Sequence, residues 1–144
     1  MRIGYVFLAR YAEPNPDGTV DSVGGDFEFV RAPSFPAVFP ISVIVKLEDV
    51  TPEDETSDGK LRMVLDLTKP SGASLLESPF IGFLEPKKVP KGLGVTQSGS
   101  ARVIMNLGPV VFPEPGKYEV RLQFGEEPRM LKAVAAVTAE VSNA

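Results

Sequence analysis

The residues that offer the most chemistry are the carboxylates of an acidic stretch from Glu48 to Gly59. Six carboxylates occupy the eleven positions from 48 to 58, and oxygen-rich loops of this kind can hold calcium. The spacing argues against calcium. When Asp54 takes the first position of a calcium loop, Leu65 falls at the twelfth, where a bidentate glutamate belongs. The stretch is predicted to be a solvated hairpin, with calcium binding kept as the alternative.

Catalytic chemistry is restricted by the absence of cysteine, histidine and tryptophan. Without cysteine and histidine the chain has no disulfides, no thiolate or imidazole metal ligands, and no Ser-His or Cys-His nucleophile. Two carboxylates can act as acid and base on a glycoside, but nothing in the sequence selects such a pair. We therefore expect a protein that is not an enzyme, with no catalytic residue, metal or cofactor.

Three lysines, Lys87, Lys88 and Lys91, lie in a predicted loop and suit either an anionic partner or a soluble surface. The sequence favours the soluble surface. Gly92 and Gly94 in the same loop do not form a phosphate-binding loop, because no Gly-Lys-Ser/Thr ending follows them. Nucleotide binding is not expected.

Phe35 and Phe39 are the candidate partner-binding residues. They lie in segment 32–40, whose three prolines argue against a central strand. Two readings remain open. The rings close one end of the fold as a lid, or they are presented to a protein partner as rigid aromatic anchors, together with Phe80 and Phe83.

The charge and the amino-terminal residues indicate which partners to expect. A net charge of −4 and a pI near 4.9 oppose binding to a phosphate backbone, so neither DNA nor RNA is expected. The apolar run from Ile3 to Ala9 is too short for a secretory signal, and no run is long enough for a membrane span. A cytoplasmic location without membrane binding is predicted.

Strict alternation of apolar and polar residues predicts antiparallel strands that bury one face. The pattern is clearest over 117–124, and it recurs over 41–48, 60–68 and 101–107. Shorter candidates are 19–23, 27–30 and 80–84.

Two further strands are predicted from context. Residues 2–11 are apolar on both faces, which indicates an internal strand covered on both sides. Residues 131–141 have a spacing that also fits a helix. A strand is preferred because the short polar connection Gly125 to Pro128 follows a strong strand, as in a hairpin.

The fold class that follows is all-β. Eight or nine short strands separated by turns, with no interleaved helices, predict two packed antiparallel sheets or a barrel, and an antiparallel two-sheet β-sandwich is preferred. No change in composition divides the chain, so residues 1–144 are predicted to form a single domain.

Two resemblances support this fold. The run Glu114-Pro-Gly-Lys-Tyr-Glu-Val120 resembles the start of the penultimate strand in immunoglobulin-like domains. That resemblance implies a hydrogen bond from the tyrosine hydroxyl to the backbone upstream. Val120 stands where antibody domains have cysteine.

The whole chain also resembles a family of unknown function made of short bacterial and phage-associated β-sandwich proteins. The matching residues are Tyr11-Ala-Glu13, Gly24-Gly25 and Pro113 to Tyr118. This resemblance implies a fold and a bacterial or phage setting, and it carries over no catalytic residue.

Three functions remain open at this point. The first is an interaction module whose loops or sheet edge contact another protein. The second is a structural subunit that self-assembles into a larger particle such as a phage virion. The third, by fold analogy alone, is a small-ligand or carbohydrate-binding domain.

Overall fold

A computed structural model describes residues 1–88 and 99–142. These residues form eleven β-strands and one short 3₁₀ turn, Pro52–Asp54, with no α-helix among them. The strands are β1 Arg2–Ala9, β2 Tyr11–Pro14, β3 Val20–Val23, β4 Phe29–Ala32, β5 Ala37–Val50, β6 Leu61–Thr68, β7 Phe80–Leu84, β8 Lys87–Lys88, β9 Gly99–Phe112, β10 Gly116–Phe124 and β11 Leu131–Val141. The all-β prediction is confirmed.

The predicted count of eight or nine strands was too low. The segment 2–11 divides into β1 and β2, because the chain bends at Arg10. The two-residue strand β8 is too short to show any alternation.

Two main sheets make up the fold. One has the order β1-β5-β9-β8, the other has the order β4-β11-β10-β6-β7, and β2 pairs with β3 as a separate hairpin. All pairings are antiparallel except that of β4 with β11, which is parallel and departs from the predicted antiparallel sheet. No hairpin joins these two strands, since β4 lies far from β11 in the chain, so no tight turn dictates their direction.

The main hydrophobic core lies between the two sheets. It is built from the residues that the alternation placed inward, among them Val43, Val45, Leu65, Val120 and Leu122, each no more than 1% exposed. The alternating pattern therefore predicted the inner faces of β5, β6, β9 and β10 correctly. Segment 131–141 is confirmed as a strand, paired along its length with β10.

A second, smaller core lies on the outer face of the four-stranded sheet. Ile44 is buried there with Ala9 and Ala12, and Val20 and Ile104 pack around them. The β2–β3 hairpin covers this face, tied down by Asn106, whose amide donates to the Ala12 carbonyl at 3.0 Å.

This hairpin explains why β1 is apolar on both faces. The prediction that β1 lies inside its sheet was wrong, because β1 is an outer strand next to β5 only. The β2–β3 hairpin covers the apolar outer face of β1, while β1 itself stays at the edge of its sheet.

The prolines of segment 32–40 argued against a central strand, but part of this segment belongs to one. Residues 37–40 open strand β5, and Pro40 lies opposite Pro109 of β9. The ladder tolerates Pro40 because β1 ends opposite Ser42, which leaves this part of β5 with a neighbour on one side only.

The tyrosine contact implied by the first resemblance is present. The hydroxyl of Tyr118, a fully buried residue, donates to the Glu114 carbonyl at 2.7 Å. Burial raises the pKa of this hydroxyl. Val120 lies two residues further along β10 and is fully buried as part of the apolar core.

Candidate interaction surfaces

Strand β7 carries the most concentrated exposed apolar surface. It is the outer strand of the five-stranded sheet and pairs with β6 along one side. Three of its five side chains are large, apolar and about half exposed: Phe80 at 54%, Ile81 at 53% and Phe83 at 56%. None of the five residues is charged.

Strand β7 is fixed in place by contacts at one end, although these three side chains stay exposed to solvent. Leu84 packs against the main core, and Leu61 lies opposite it on β6. Gly82 leaves space for the Phe80 ring, because a Cβ at Gly82 would lie 3.1 Å from a ring carbon. The strand is therefore anchored at its end and lined with exposed rings.

The other three outer strands carry charges. Arg31 of β4 pairs with Glu140 at 3.1 Å, and Arg2 of β1 pairs with Glu48 at 2.6 Å. Strand β8 consists of two lysines. Charges and short length are the usual means by which sheet edges avoid unwanted pairing. Among the four outer strands of the two main sheets, as described for residues 1–88 and 99–142, β7 is the one without a charged residue.

Phe35 and Phe39, the residues predicted to bind a partner, are half-buried and pack against the main core. Phe39 makes an edge-to-face contact with Phe112, with ring centroids 5.7 Å apart. Phe39 lines a cavity beside β4, whereas Phe83 lines a different one. A role for Phe35 and Phe39 in partner binding stays a prediction, and the four phenylalanines do not share one cavity.

The acidic stretch is less solvated than predicted, because Asp54 is buried. Its carboxylate accepts hydrogen bonds from the Thr51 backbone N–H at 2.9 Å and from Arg129 Nε at 3.0 Å. Burial acts to raise the pKa of Asp54, but these hydrogen bonds outweigh it and hold the pKa below its usual value. Asp54 therefore ties the stretch to the β10–β11 connection.

The remaining predicted site residues are scattered. Within residues 1–88 and 99–142, no three carboxylates come together as metal ligands. Lys87 and Lys88 form β8 beside β9, so this part of the predicted loop is a strand. Lys91, Gly92 and Gly94 lie outside the described residues.

A large cleft was not predicted from the sequence. It has a volume of about 600 Å³ and lies between the β2–β3 hairpin and strands β5 and β9. The sequence signal for this cleft was a pair of cations, Lys46 and Arg102, at outward positions of two strands. Apolar residues, Ile44 and Ile104, occupy neighbouring outward positions on the same strands.

The class of protein follows from these features. The chain is an all-β protein whose described residues form two facing sheets, with an apolar, uncharged edge at β7. Its described residues include no helix long and apolar enough to cross a membrane.

This chain belongs to DUF6941, a family of unknown function whose model matches residues 4–134. No curated protein and no solved structure matches it. The membership agrees with the family of unknown function that the sequence resembled, while a bacterial or phage setting stays a prediction.

Proposed function

We propose that this chain is a non-enzymatic protein-interaction module that docks through strand β7. The observation that carries the proposal is the exposure of Phe80, Ile81 and Phe83 on an outer strand without charges. An outer strand presents backbone N–H and C=O groups that a further strand can pair with, and such strand addition is a common mode of recognition.

The chemistry of β7 defines the segment that pairs with it. A charged segment would lose hydration against Ile81 and Phe83 without gaining an ion pair, since β7 has no charge to offer. An extended segment of β-branched and aromatic residues gains apolar burial as well as backbone hydrogen bonds. We therefore infer an uncharged, apolar extended partner segment.

A second copy of β7 meets this description, and we propose it as the partner. Two copies that run antiparallel about Gly82 place Ile81 opposite Phe83 and Phe80 opposite Leu84. Aromatic and β-branched cross-strand pairs of this kind stabilise a sheet, and no like charges meet within the five residues. The two five-stranded sheets would become one continuous sheet.

A larger assembly, such as a phage virion, is the second candidate. Pairing through β7 alone closes a dimer about a two-fold axis, so growth beyond a dimer needs another contact. Phe29, which is 49% exposed on β4 at the opposite edge of the same sheet, offers a side-chain contact, because the charge of Arg31 opposes strand pairing there.

The test is the molar mass in solution, measured by size-exclusion chromatography with light scattering over a wide concentration range. A five-residue strand pair is a small interface, so we expect a concentration-dependent equilibrium between the 15.5 kDa chain and its dimer. Ile81→Lys is expected to keep the chain monomeric, because a lysine on an outer strand opposes pairing.

Val134→Lys is the matched control. Val134 is 54% exposed, like Ile81, but it lies on β11, which β10 and β6 separate from β7. We expect this variant to associate like the wild type. Equal loss of association in both variants, or a wild-type chain that stays monomeric at millimolar concentration, would contradict pairing of two β7 strands. Growth past the dimer would favour the larger assembly.

A further inference from the structure

A cleft lies under the β2–β3 hairpin and extends to Phe83 and Leu84 at the end of β7. Its floor is the outer face of β5 and β9, and its volume is about 600 Å³. Its charged lining residues are Lys46, Glu85, Lys87 and Arg102, and its polar lining residues include Ser100 and Asn106.

Two cations of the floor face each other directly. Lys46 of β5 and Arg102 of β9 are cross-strand partners in the antiparallel ladder. Like charges at directly opposed positions destabilise a sheet. The two opposed cations therefore have a cost, and an anion bound between the two side chains would remove it.

Arg102 is held in place without being neutralised. Its Nε donates to the Tyr5 hydroxyl at 2.9 Å, and one terminal nitrogen donates to the Gly18 carbonyl. Both acceptors are neutral, so they orient the guanidinium without removing its charge, and Arg102 keeps further N–H groups for a ligand of the cleft that it lines. No carboxylate of the described chain pairs with Arg102.

The other charges near the floor leave it positive. Lys46 Nζ lies 3.4 Å from Glu48 Oε1, but Glu48 is shared with Arg2, which contacts its other oxygen at 2.6 Å. Lys87 adds a third cation to the lining, and Glu85 is the one carboxylate among its described residues. This positive cleft belongs to a chain whose net charge is −4.

We propose that the cleft binds a small molecule through an oxyanion, a carboxylate or phosphate group, seated between Lys46 and Arg102. The planar fork of a guanidinium suits two acceptor oxygens of one such group. Ser100, next to Lys87 in the β8–β9 ladder, supplies a further hydroxyl donor on the same lining. The proposal does not depend on pairing through β7.

The test is isothermal titration calorimetry with sodium phosphate and, separately, sodium citrate, with sodium chloride at equal ionic strength as the blank. We expect saturable binding of one equivalent and at least tenfold weaker binding in Arg102→Gln. Arg121→Gln is the control, because Arg121 lies on the other sheet and pairs with Glu119 at 2.8 Å. Its binding should equal that of the wild type.

Lys46→Gln is the second variant, since Arg102→Gln also removes a contact to the hairpin and can reduce folding. It removes the opposed cation and leaves the Arg102 hydrogen bonds intact, and we expect binding to weaken by a similar factor. Preference for phosphate or for citrate identifies the type of oxyanion. Heats that match the chloride blank, or wild-type affinity in both variants, would overturn the proposal.

Discussion

Asp54 shows at the scale of a single residue how a carboxylate in an acidic stretch becomes structural. Its side chain is 1% exposed and is bonded to Thr51 and Arg129. A buried carboxylate loses its hydration, and only such hydrogen bonds make burial tolerable. The acidic stretch is therefore fixed to the body of the protein at this position.

We predict that Asp54→Asn lowers the free energy of unfolding by about 2 kcal/mol at pH 7, the usual value of a hydrogen bond to a charged group. Because the folded state lowers the pKa of Asp54, its contribution is complete above the ordinary pKa and disappears as the pH falls through the folded value. The difference from wild type should therefore shrink toward pH 2. Urea unfolding at both pH values measures it.

Asp58→Asn is the matched control, since Asp58 belongs to the same stretch but is exposed. We expect a change within about 0.5 kcal/mol. A loss equal to that of Asp54→Asn would mean that the net charge of the stretch matters and that the Asp54 contacts do not.

The role of Asp54 was beyond sequence reasoning for a physical reason. Its partner Arg129 lies 75 residues away, and six carboxylates close together in the chain look alike until the fold selects one. The burial of Tyr118 was easier to predict, because local alternation places it inward and its hydrogen-bond partner is four residues away.

At the scale of elements, β5 shows what alternation predicts and what it misses. Its inward residues Ile41, Val43, Val45 and Leu47 were all predicted, and all are fully buried. The outward Ile44 is fully buried as well, because the β2–β3 hairpin covers it. Alternation reports one face of a strand and contains no information about a hairpin that folds over the other.

We predict that Ile44→Ala lowers the free energy of unfolding by about 2–5 kcal/mol, the range for truncating a buried isoleucine. Chemical denaturation measures the change. Ile81→Ala is the control, because it makes the same truncation at an isoleucine that is 53% exposed, and we expect about 0.5 kcal/mol or less. Equal losses of unfolding free energy in the two variants would mean that the hairpin does not bury Ile44.

At the scale of the whole molecule, the arrangement of strands was the least predictable feature. Both β1 at a sheet edge and the parallel pairing of β4 with β11 depend on contacts between distant parts of the chain. The class of fold was predictable because the strand period and the turn residues are local. The sequence contains one indication of the exposed edge at β7. The run Phe80–Leu84 has no charged residue, follows Pro79 directly and is separated from Pro86 by one residue.

The net charge of −4 leads to a prediction for self-association. Two like-charged chains repel each other, whereas the β7 strands themselves carry no charge. Added salt screens the repulsion and leaves the apolar contact intact. We therefore expect the dimer dissociation constant, measured by sedimentation equilibrium, to fall modestly between about 20 and 300 mM NaCl. A marked rise would indicate an ionic interface elsewhere.

The most direct test of the docking role of β7 is amide hydrogen exchange at several protein concentrations, followed by mass spectrometry of peptides that cover residues 80–84. If β7 pairs with a second copy, its exchange slows as the concentration rises, and the Ile81→Lys variant does not show this slowing. Peptides from β4 serve as the internal reference and should not change. Exchange in β7 that stays constant while the molar mass increases would contradict the account, because association would then use another surface.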